Sequence, residues 1–592
     1  MINAFLEAAR RDEPVFISDV RAAFMREGTR PFTLRVTLYD GSARRFPLRL
    51  PEANTPEEAA FLASYVYATV YNVLSSLGAL RIDVYTDCSD AALSALARSL
   101  PDVFQSSLPK RARTGYGKSL NVNERTIATL LPGQAFAFSV FPVGDEPASK
   151  APAPAYGAPV FASLPARTAG KMLLGMDVGG TDVKLVVSVD GRLAAFKEFD
   201  WFPAGLQTAE ELIEPLLLLT RLLRAAGSLC AAGMDEQVDF SALDKRATPS
   251  DMARAAADME RAAGDRLLNF DAIGLCFPDV VIQNRIVGGE TYKTRGMREN
   301  TALDYEEQFA KISCLNDRLM PFVVPGGAVM STNDGPMAAF TAAVEQAAAG
   351  ADVSRGFFAH TLGTELGTGW VKPDGSIPQI PLEVYNCIID LGSFPQRAFA
   401  ADDARSVNNF NTLLAGTLQK YTSQSGVFRL AAKHLPSADA PLWREALRRG
   451  LFVREGDRLT VPTAPRDMRK AALEFFMERA ASGEHPACAE IFRQIGAYLA
   501  VTYEETQFLL HPEAEARTLF GRLVKSPVCF ALMDEGARAR VPSLVQFAAD
   551  DGLANTALMR QLAAHPDYTV AQFAQAVGAV YYACLAPAGN EA

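Results

Sequence analysis

Three short stretches hold the residue types that phosphate and hydroxyl chemistry requires. The first is Asp177-Val-Gly-Gly-Thr-Asp-Val-Lys184. Apolar runs flank it, Met172 to Val178 and Val183 to Val189, so its glycines fall in a tight turn between two predicted strands. Gly179 and Gly180 let a backbone approach a phosphate and aim N–H groups at it, and Thr181 adds a hydroxyl donor. Asp177, at a strand end, suits Mg²⁺ or its waters. The plainer alternative is a hairpin rich in glycine for steric reasons. The second stretch, Leu362-Gly-Thr-Glu-Leu-Gly-Thr-Gly-Trp370, repeats the pattern, with Gly363, Thr364 and Gly367 between strands predicted at Phe357 to Leu362 and Gly369 to Val371. Two such turns suit a pair of phosphate-cradling hairpins facing each other across a cleft. The third is Ser331-Thr-Asn-Asp334, followed by Gly335-Pro336 and a helix predicted to Gln346. Asp334 there is either an N-terminal cap or a carboxylate left for chemistry.

The elements that must position these stretches belong to a chain of 592 residues, 49% apolar and 21% charged, the balance of a globular protein. At roughly 150 residues per domain, the length suggests about three to four domains. Its 58 basic and 68 acidic residues give a net charge of −10, which argues against a general nucleic-acid binder. Mean hydropathy is near zero and the opening residues lack a signal-peptide pattern, so neither a polytopic membrane protein nor a secreted one is expected. Ala59 to Leu80 is uncharged and long enough to span a bilayer. It carries Ser64, Asn72 and Ser76, while Leu62, Val66, Val70, Val73 and Leu77 recur at helical spacing, the pattern of a buried amphipathic helix. None of the eight cysteines forms a C-x-x-C pair, so reduced thiols and a cytoplasmic location are expected.

Residues 1–145 read as a separate α/β domain. Phe32 to Leu48 alternates on both sides of Asp40-Gly41, a hairpin signal. Further strands are predicted at Leu80 to Tyr85 and Ala135 to Val143, with a helix at Asp90 to Leu100. The role of residues 1–145 is left open, and residues 146–170, rich in proline and alanine, read as an extended linker. Beyond Lys171, strands and helices alternate: a helix at Ala209 to Ala226, a strand at Ala272 to Phe277 stopped by Pro278, and a short strand at Ala328 to Ser331. The region 400–510 is mostly helical by periodicity, and no repeat of fixed period is present.

In order and spacing these stretches resemble the ROK family of bacterial sugar kinases and sugar-responsive repressors, part of the superfamily of actin, hexokinases and heat-shock chaperone ATPases. Gly175 to Lys184 is similar to the family's first phosphate loop. Ile273 to Asp279, then Val287-Gly-Gly, resembles its strand ending in proline and the glycine that follows. Asn333-Asp334 matches its catalytic pair, Leu362-Gly-Thr its second phosphate loop, and Leu519-Phe-Gly521 the strand before its adenosine site. The resemblance covers about Lys171 to Ala586. It implies an α/β fold: a two-lobed, actin-like (ribonuclease H-like) kinase body. The first lobe would be 171–330, with helix 567–586 packing back on it, and the second 331–566 with helical insertions.

The same resemblance implies transfer of the ATP γ-phosphoryl group to a hydroxyl of a hexose or related sugar. Asp334 would be the general base, and Asn333, Glu383 and Asn386 would hydrogen-bond the sugar. Gly179, Gly180, Thr181, Lys184, Gly363, Thr364, Gly367 and Gly521 would contact the nucleotide, and Asp177 would serve Mg²⁺. The expected partner is a small sugar, with no nucleic acid and no membrane, and with a homo-oligomer allowed. The chain also departs from the family: Asn-Asp-Gly-Pro replaces Asn-Asp-Ala-Asn, Glu365 stands where glycine is usual, and Tyr385 and Asn386 replace Gly and His of Glu-x-Gly-His. The cysteine-rich zinc motif is absent. These departures keep a second reading open, a catalytically inactive sugar- or nucleotide-binding regulatory protein. Lys293, Arg295 and Arg298 depart from the family too, and face either an acidic substrate or solvent.

Overall fold

In this computed structural model the described residues are 1–147, 157, 159–241, 243–288, 292–463, 467–549 and 554–586. Most of the predicted linker, residues 148–156 and 158, lies outside them. β1 (Arg30–Thr37) and β2 (Ala43–Leu50) form the hairpin that Asp40-Gly41 signals. Gly41 has φ of 81°, a conformation that favours glycine, and the Asp40 carboxylate accepts the Ser42 N–H at 2.9 Å. With β3 (Arg81–Thr86) and β4 (Ala137–Pro142) they make a sheet of order β2-β1-β3-β4. The uncharged stretch is the helix Pro56–Ser76, and Thr55 caps it by accepting the Glu58 N–H. Among the described residues no helix is long and apolar enough to cross a membrane.

The chain divides into two compact units. The first is Met1–Ala153, Ala359–Thr368 and Ile380–Ala549; the second is Pro154–Phe358, Gly369–Gln379 and Asp550–Ala592. The N-terminal residues, which have a sheet of their own, thus share a unit with much later sequence. A buried polar knot explains why. Arg21 pairs with Glu505 at 2.6 Å, both buried, and its guanidinium lies 3.6 Å from the Phe508 ring centre. The Asn72 amide donates to Ile388 O and to Glu505 Oε1, each at 2.9 Å, and accepts the Ile388 N–H. Removing one member of such a knot strands a buried charge, at a cost of about 3–5 kcal/mol.

The second unit is built on β5 (Met172–Val178), β6 (Asp182–Val189) and β7 (Arg192–Asp200), an antiparallel meander. β8 (Phe270–Phe277) joins β5 in parallel. A small hairpin follows, β9 (Val281–Ile282) and β10 (Arg285–Ile286), and then β11 (Val323–Asn333), parallel to β8. The order is β11-β8-β5-β6-β7, the ribonuclease H-like arrangement. A second sheet, most of it in the first unit, repeats the order without the third strand. β12 (Phe357–Leu362) and β13 (Leu366–Val371) are joined by a three-residue turn. After the hairpin β14 (Val453–Glu455) and β15 (Arg458–Thr460), β16 (Arg517–Phe520) and β17 (Gln546–Ala548) complete the order β13-β12-β16-β17. The two sheets define the actin-like ATPase fold class.

Two expectations need correction. The lobe boundary at 331 falls inside β11, which pairs with β8 as far as Asn333↔Phe277, so the second unit runs on to Phe358. The end of the predicted linker is not extended: Phe161–Ser163 and Pro165–Thr168 are short 3₁₀ turns. They bury Phe161 and Leu164, and the Phe161 ring meets Phe340 edge-on. Two large apolar side chains three residues apart outweighed the proline-alanine composition.

The helix expected at 567–586 is Val570–Ala583, packed on β5 and β8. Its approach needs bare backbone. A Cβ on Gly175 would lie 1.9 Å from Ala576 O, and one on Gly274 would lie 1.8 Å from Ala579 O. Gly274→Ala should therefore cost about 3 kcal/mol through overpacking, read as a lower urea midpoint. Gly144→Ala puts the same methyl into open space and should be near neutral. A Gly274→Ala protein as stable as Gly144→Ala would refute this packing.

Candidate functional site

Strand register assembles the site in the second unit. Asp177 on β5 stands opposite Cys276 on β8, and Cys276 opposite Thr332 on β11, so the carboxyl ends of three parallel strands align at one edge. That edge is where open α/β sheets present their chemistry. β6 returns beside β5 with Lys184 opposite Asp177. Between them Gly179 N–H donates to Asp182 O at 2.8 Å and closes the turn. The Trp201 indole N–H donates to Gly179 O at 2.9 Å and buttresses it.

Asp177 is partly buried, and burial pushes its carboxyl up to about 6; the nearby Asp334 and Asp182 add to the rise, while Lys184 and the Cys276 thiol oppose it. Burial, and then Asp177 itself, pushes the Cys276 thiol well above its usual range, and that thiol also lies 3.2 Å from Gln575 Oε1. An acidic oxygen whose charge is disfavoured by burial and neighbouring carboxylates fits a hard divalent cation, which would restore the charged form. Among the described residues no cluster of three or more His, Cys, Asp or Glu could hold a metal. Mg²⁺ needs less, because it commonly takes one or two carboxylates together with phosphate oxygens and water. The expected phosphate-side cation, Lys184, is paired with Asp182. Thr181 is exposed and its hydroxyl lies 3.2 Å from Asp182 Oδ2.

At the third stretch the cap and the candidate carboxylate fall on adjacent residues. The cap of the helix Asp334–Ala348 is Asn333, whose Oδ1 accepts the Gly335 N–H at 3.0 Å. The Asn333 amide also donates to Asp279 O at 2.8 Å, so both ends of that side chain are engaged by the protein. Asp334 is the first helical residue, with its side chain half exposed. Its Oδ1 accepts the Gly335 N–H, and its Oδ2 lies 3.9 Å from Lys293 Nζ. The basic cluster is thereby split. Lys293 turns to Asp334, whereas Arg295 lies 3.6 Å from Glu299. Position 293 was singled out by charge alone; nothing in the sequence indicated that it would meet position 334.

In the first unit, β12 and β16 are parallel with Thr361↔Phe520, which sets the Gly363 turn beside Gly521. Gly521 has φ of 99°, and a Cβ there would lie 2.5 Å from Leu362 O. The Gly363 carbonyl accepts the Gln424 N–H at the start of the helix Gln424–Ala438. Thr364 and Glu365 are exposed, and Glu365 Oε1 accepts from the Gln419 amide at 2.9 Å. A Cβ on Gly367 would lie 3.3 Å from Thr361 Cβ across the hairpin. Glu383 and Asn386 come together with Tyr385: burial, and then Glu383 and Glu365, pushes the Tyr385 phenol well above its usual range. Asn386 Oδ1 accepts from Asn409 at 3.2 Å. Gln419 and Asn409 are members of this polar group that the motifs gave no sign of.

No protein-family model matches the chain, and no curated protein matches it. Solved structures do. A ROK family glucokinase from Streptomyces griseus, in complex with glucose and AMPPNP, is similar at 16% identity over 69% of this chain and 98% of that one, with a TM-score of 0.37. A ROK hexokinase from Thermus thermophilus is similar at 14% identity over 69% and 98%, with a TM-score of 0.35. A glucokinase from Parabacteroides distasonis is similar at 14% identity over 70% and 98%, with a TM-score of 0.34.

The raised Asp177 carboxyl has a testable sign. A carboxyl whose native pKa exceeds its unfolded value of 3.8 stabilises the fold fully below that value, and the contribution is lost as pH rises through about 6. In buffer free of Mg²⁺ and nucleotide, wild type should lose stability relative to Asp177→Asn between pH 5 and pH 8, on the order of 1 kcal/mol. Parallel stability curves for the two proteins would show an unperturbed Asp177.

Proposed function

We propose that the chain is an ATP-dependent kinase of a hexose or related sugar. The observation that carries the reading is Asp334. It is an accessible carboxylate at the carboxyl edge of parallel strands, next to the Asn333 cap and sharing that edge with a glycine turn and Asp177. In the proposed reaction the acceptor hydroxyl oxygen bonds to the γ-phosphorus of ATP. The bond from that phosphorus to the β,γ-bridging oxygen breaks, and its electron pair leaves with ADP. The hydroxyl proton passes to the Asp334 carboxylate. Phosphoryl transfer asks mainly for positioning and charge stabilisation, with little covalent chemistry from the protein.

Gly179, Gly180 and Thr181 are the proposed first phosphate turn, and Gly363, Thr364 and Gly367, with Gly521 beside them, the second. Asp177 is the residue proposed to hold Mg²⁺, whose chemistry when bound is to neutralise phosphate charge. Glu383 and Asn386 are the proposed hydrogen-bonding partners of the sugar, while Asn333, tied to Gly335 and Asp279, keeps the strand-to-helix junction before Asp334 in place. A cytoplasmic location and a sugar as the small-molecule partner belong to this proposal. Glu365 favours the second reading, an inactive sugar- or nucleotide-binding regulator. It sets an exposed carboxylate in the second turn, where it would repel a polyphosphate.

Asp334→Asn decides between them. It keeps the shape and removes the proton acceptor. General-base catalysis contributes about 10²–10⁴-fold, so kcat should fall by that order while affinities for Mg·ATP and for an accepted sugar change little. Full activity in Asp334→Asn would rule out the base. A wild type that binds sugar and nucleotide but turns over none of a panel of hexoses and N-acetylated amino sugars would favour the regulator.

A further inference from the structure

We propose that Lys293 is the cation that binds the terminal phosphoryl group of the nucleotide, an assignment that rests on the kinase reading above. A glycine turn supplies N–H donors but no full charge, while the group in transfer carries charge on three outer oxygens. The cation nearest in sequence, Lys184, is neutralised by Asp182. Lys293 arrives from a different part of the chain. It sits in the 3₁₀ turn Tyr292–Thr294, after the small hairpin β9–β10. The next residue, Thr294, is buried and anchors the turn through a 3.0 Å hydroxyl contact with Tyr305.

From that anchor the lysine stem lies across the first glycine turn. A Cβ built on Gly180 would stand 3.2 Å from Lys293 Cε, so bare backbone at 180 leaves room for the lysine as well as for a phosphate. The ammonium then stands 3.4 Å from Pro278 O and 3.9 Å from Asp334 Oδ2. Both separations exceed the 2.7–3.2 Å of a well-made N–H···O bond, and an ammonium has three donors to place. The Lys293 side chain is 28% exposed, which leaves it reachable by a ligand. It therefore stands between the turn proposed to hold the phosphates and the carboxylate proposed to take the proton. An anion entering there would give it shorter contacts than those two, the ones it makes among the described residues. A monoanionic oxygen on the terminal phosphoryl is the chemistry that fits; ADP, which ends one phosphate earlier, would not reach it.

The test is calorimetric titration of the full chain, in Mg²⁺ buffer, with ADP and with AMPPNP. The proteins are wild type, Lys293→Met and Lys293→Arg. One charge-assisted hydrogen bond corresponds to roughly a 10- to 100-fold change in affinity. Lys293→Met should lose AMPPNP affinity by that factor and hold ADP within about twofold, with Lys293→Arg recovering part of the loss. An equal loss on both nucleotides, or none on AMPPNP, overturns the assignment and leaves the kinase reading standing. A wild type that binds neither nucleotide overturns both. Thermal melting of each variant guards against loss of fold; the position is partly exposed and an unfolded Lys293→Met is not expected.

Discussion

The candidate site depends on how closely one helix approaches one sheet. Val570–Ala583 lies against β5 and β8 with no side chain at Gly175 or Gly274, and its own Gly578 faces Thr341, where a Cβ would fall 1.8 Å from the hydroxyl oxygen. Interiors of this density transmit a displaced backbone instead of absorbing it. A methyl at Gly175 or Gly274 would push the helix off the sheet or shift β5 against β8. Either shift moves Asp177, Cys276 and Asn333, because those residues are placed by strand register. The chemistry at the strand ends is thus set by packing several residues back along the same strands.

On that scaffold the electrostatics are close to balanced and sensitive to position. Asp177, Asp182 and Asp334 supply three carboxylates, and Lys184 and Lys293 two ammonium groups. Burial acts on Asp177 and pushes its carboxyl up to about 6. A polyphosphate brought to this edge adds more negative charge, so cations must come with it or already be there. One lysine is held within the turn by Asp182, and the position 293 ammonium stands 3.9 Å from Asp334 at the same edge. Geometry has a matching arrangement: Asn333 and one Asp334 oxygen share the Gly335 N–H at the helix N-terminus, and the other Asp334 oxygen is directed toward Lys293.

Much of this was legible in the sequence because it is local. The Asp40-Gly41 hairpin, the β5–β6 turn and the strand stopped by Pro278 each rest on a few neighbouring residues. What was not legible is long-range. The 331 boundary was placed by motif order, whereas β11 continues to Asn333 because β8 offers it a partner to the end. Phe161 and Leu164 were hidden in a proline-rich composition and revealed by packing on the helix Asp334–Ala348. Asn333 and Asp334 are adjacent, and only the backbone conformation decides which of them caps. Lys293 meets Asp334 across some forty residues of chain, a contact no periodicity encodes. Gly175 reads as the first glycine of a phosphate motif, yet its constraint comes from the helix behind it.

The N-terminal sheet raises the same point on a larger scale. A proline-alanine run usually joins modules that could part, yet Arg21, Asn72 and Glu505 are buried together with the Ile388 backbone. A buried ion pair is a poor source of net stability, since desolvation cancels most of its attraction. Its force is in specificity: Arg21 without Glu505, or Glu505 without Arg21, is a buried charge that has lost the opposite charge it pairs with. The N-terminal residues and the helix Pro486–Leu510 are therefore matched to each other, so that each is costly to bury against anything else. The same helix leads through His511 into β16 and Gly521. Residues 1–145 and the helix that leads into β16 are in this way parts of one unit, joined through the Arg21–Glu505 pair.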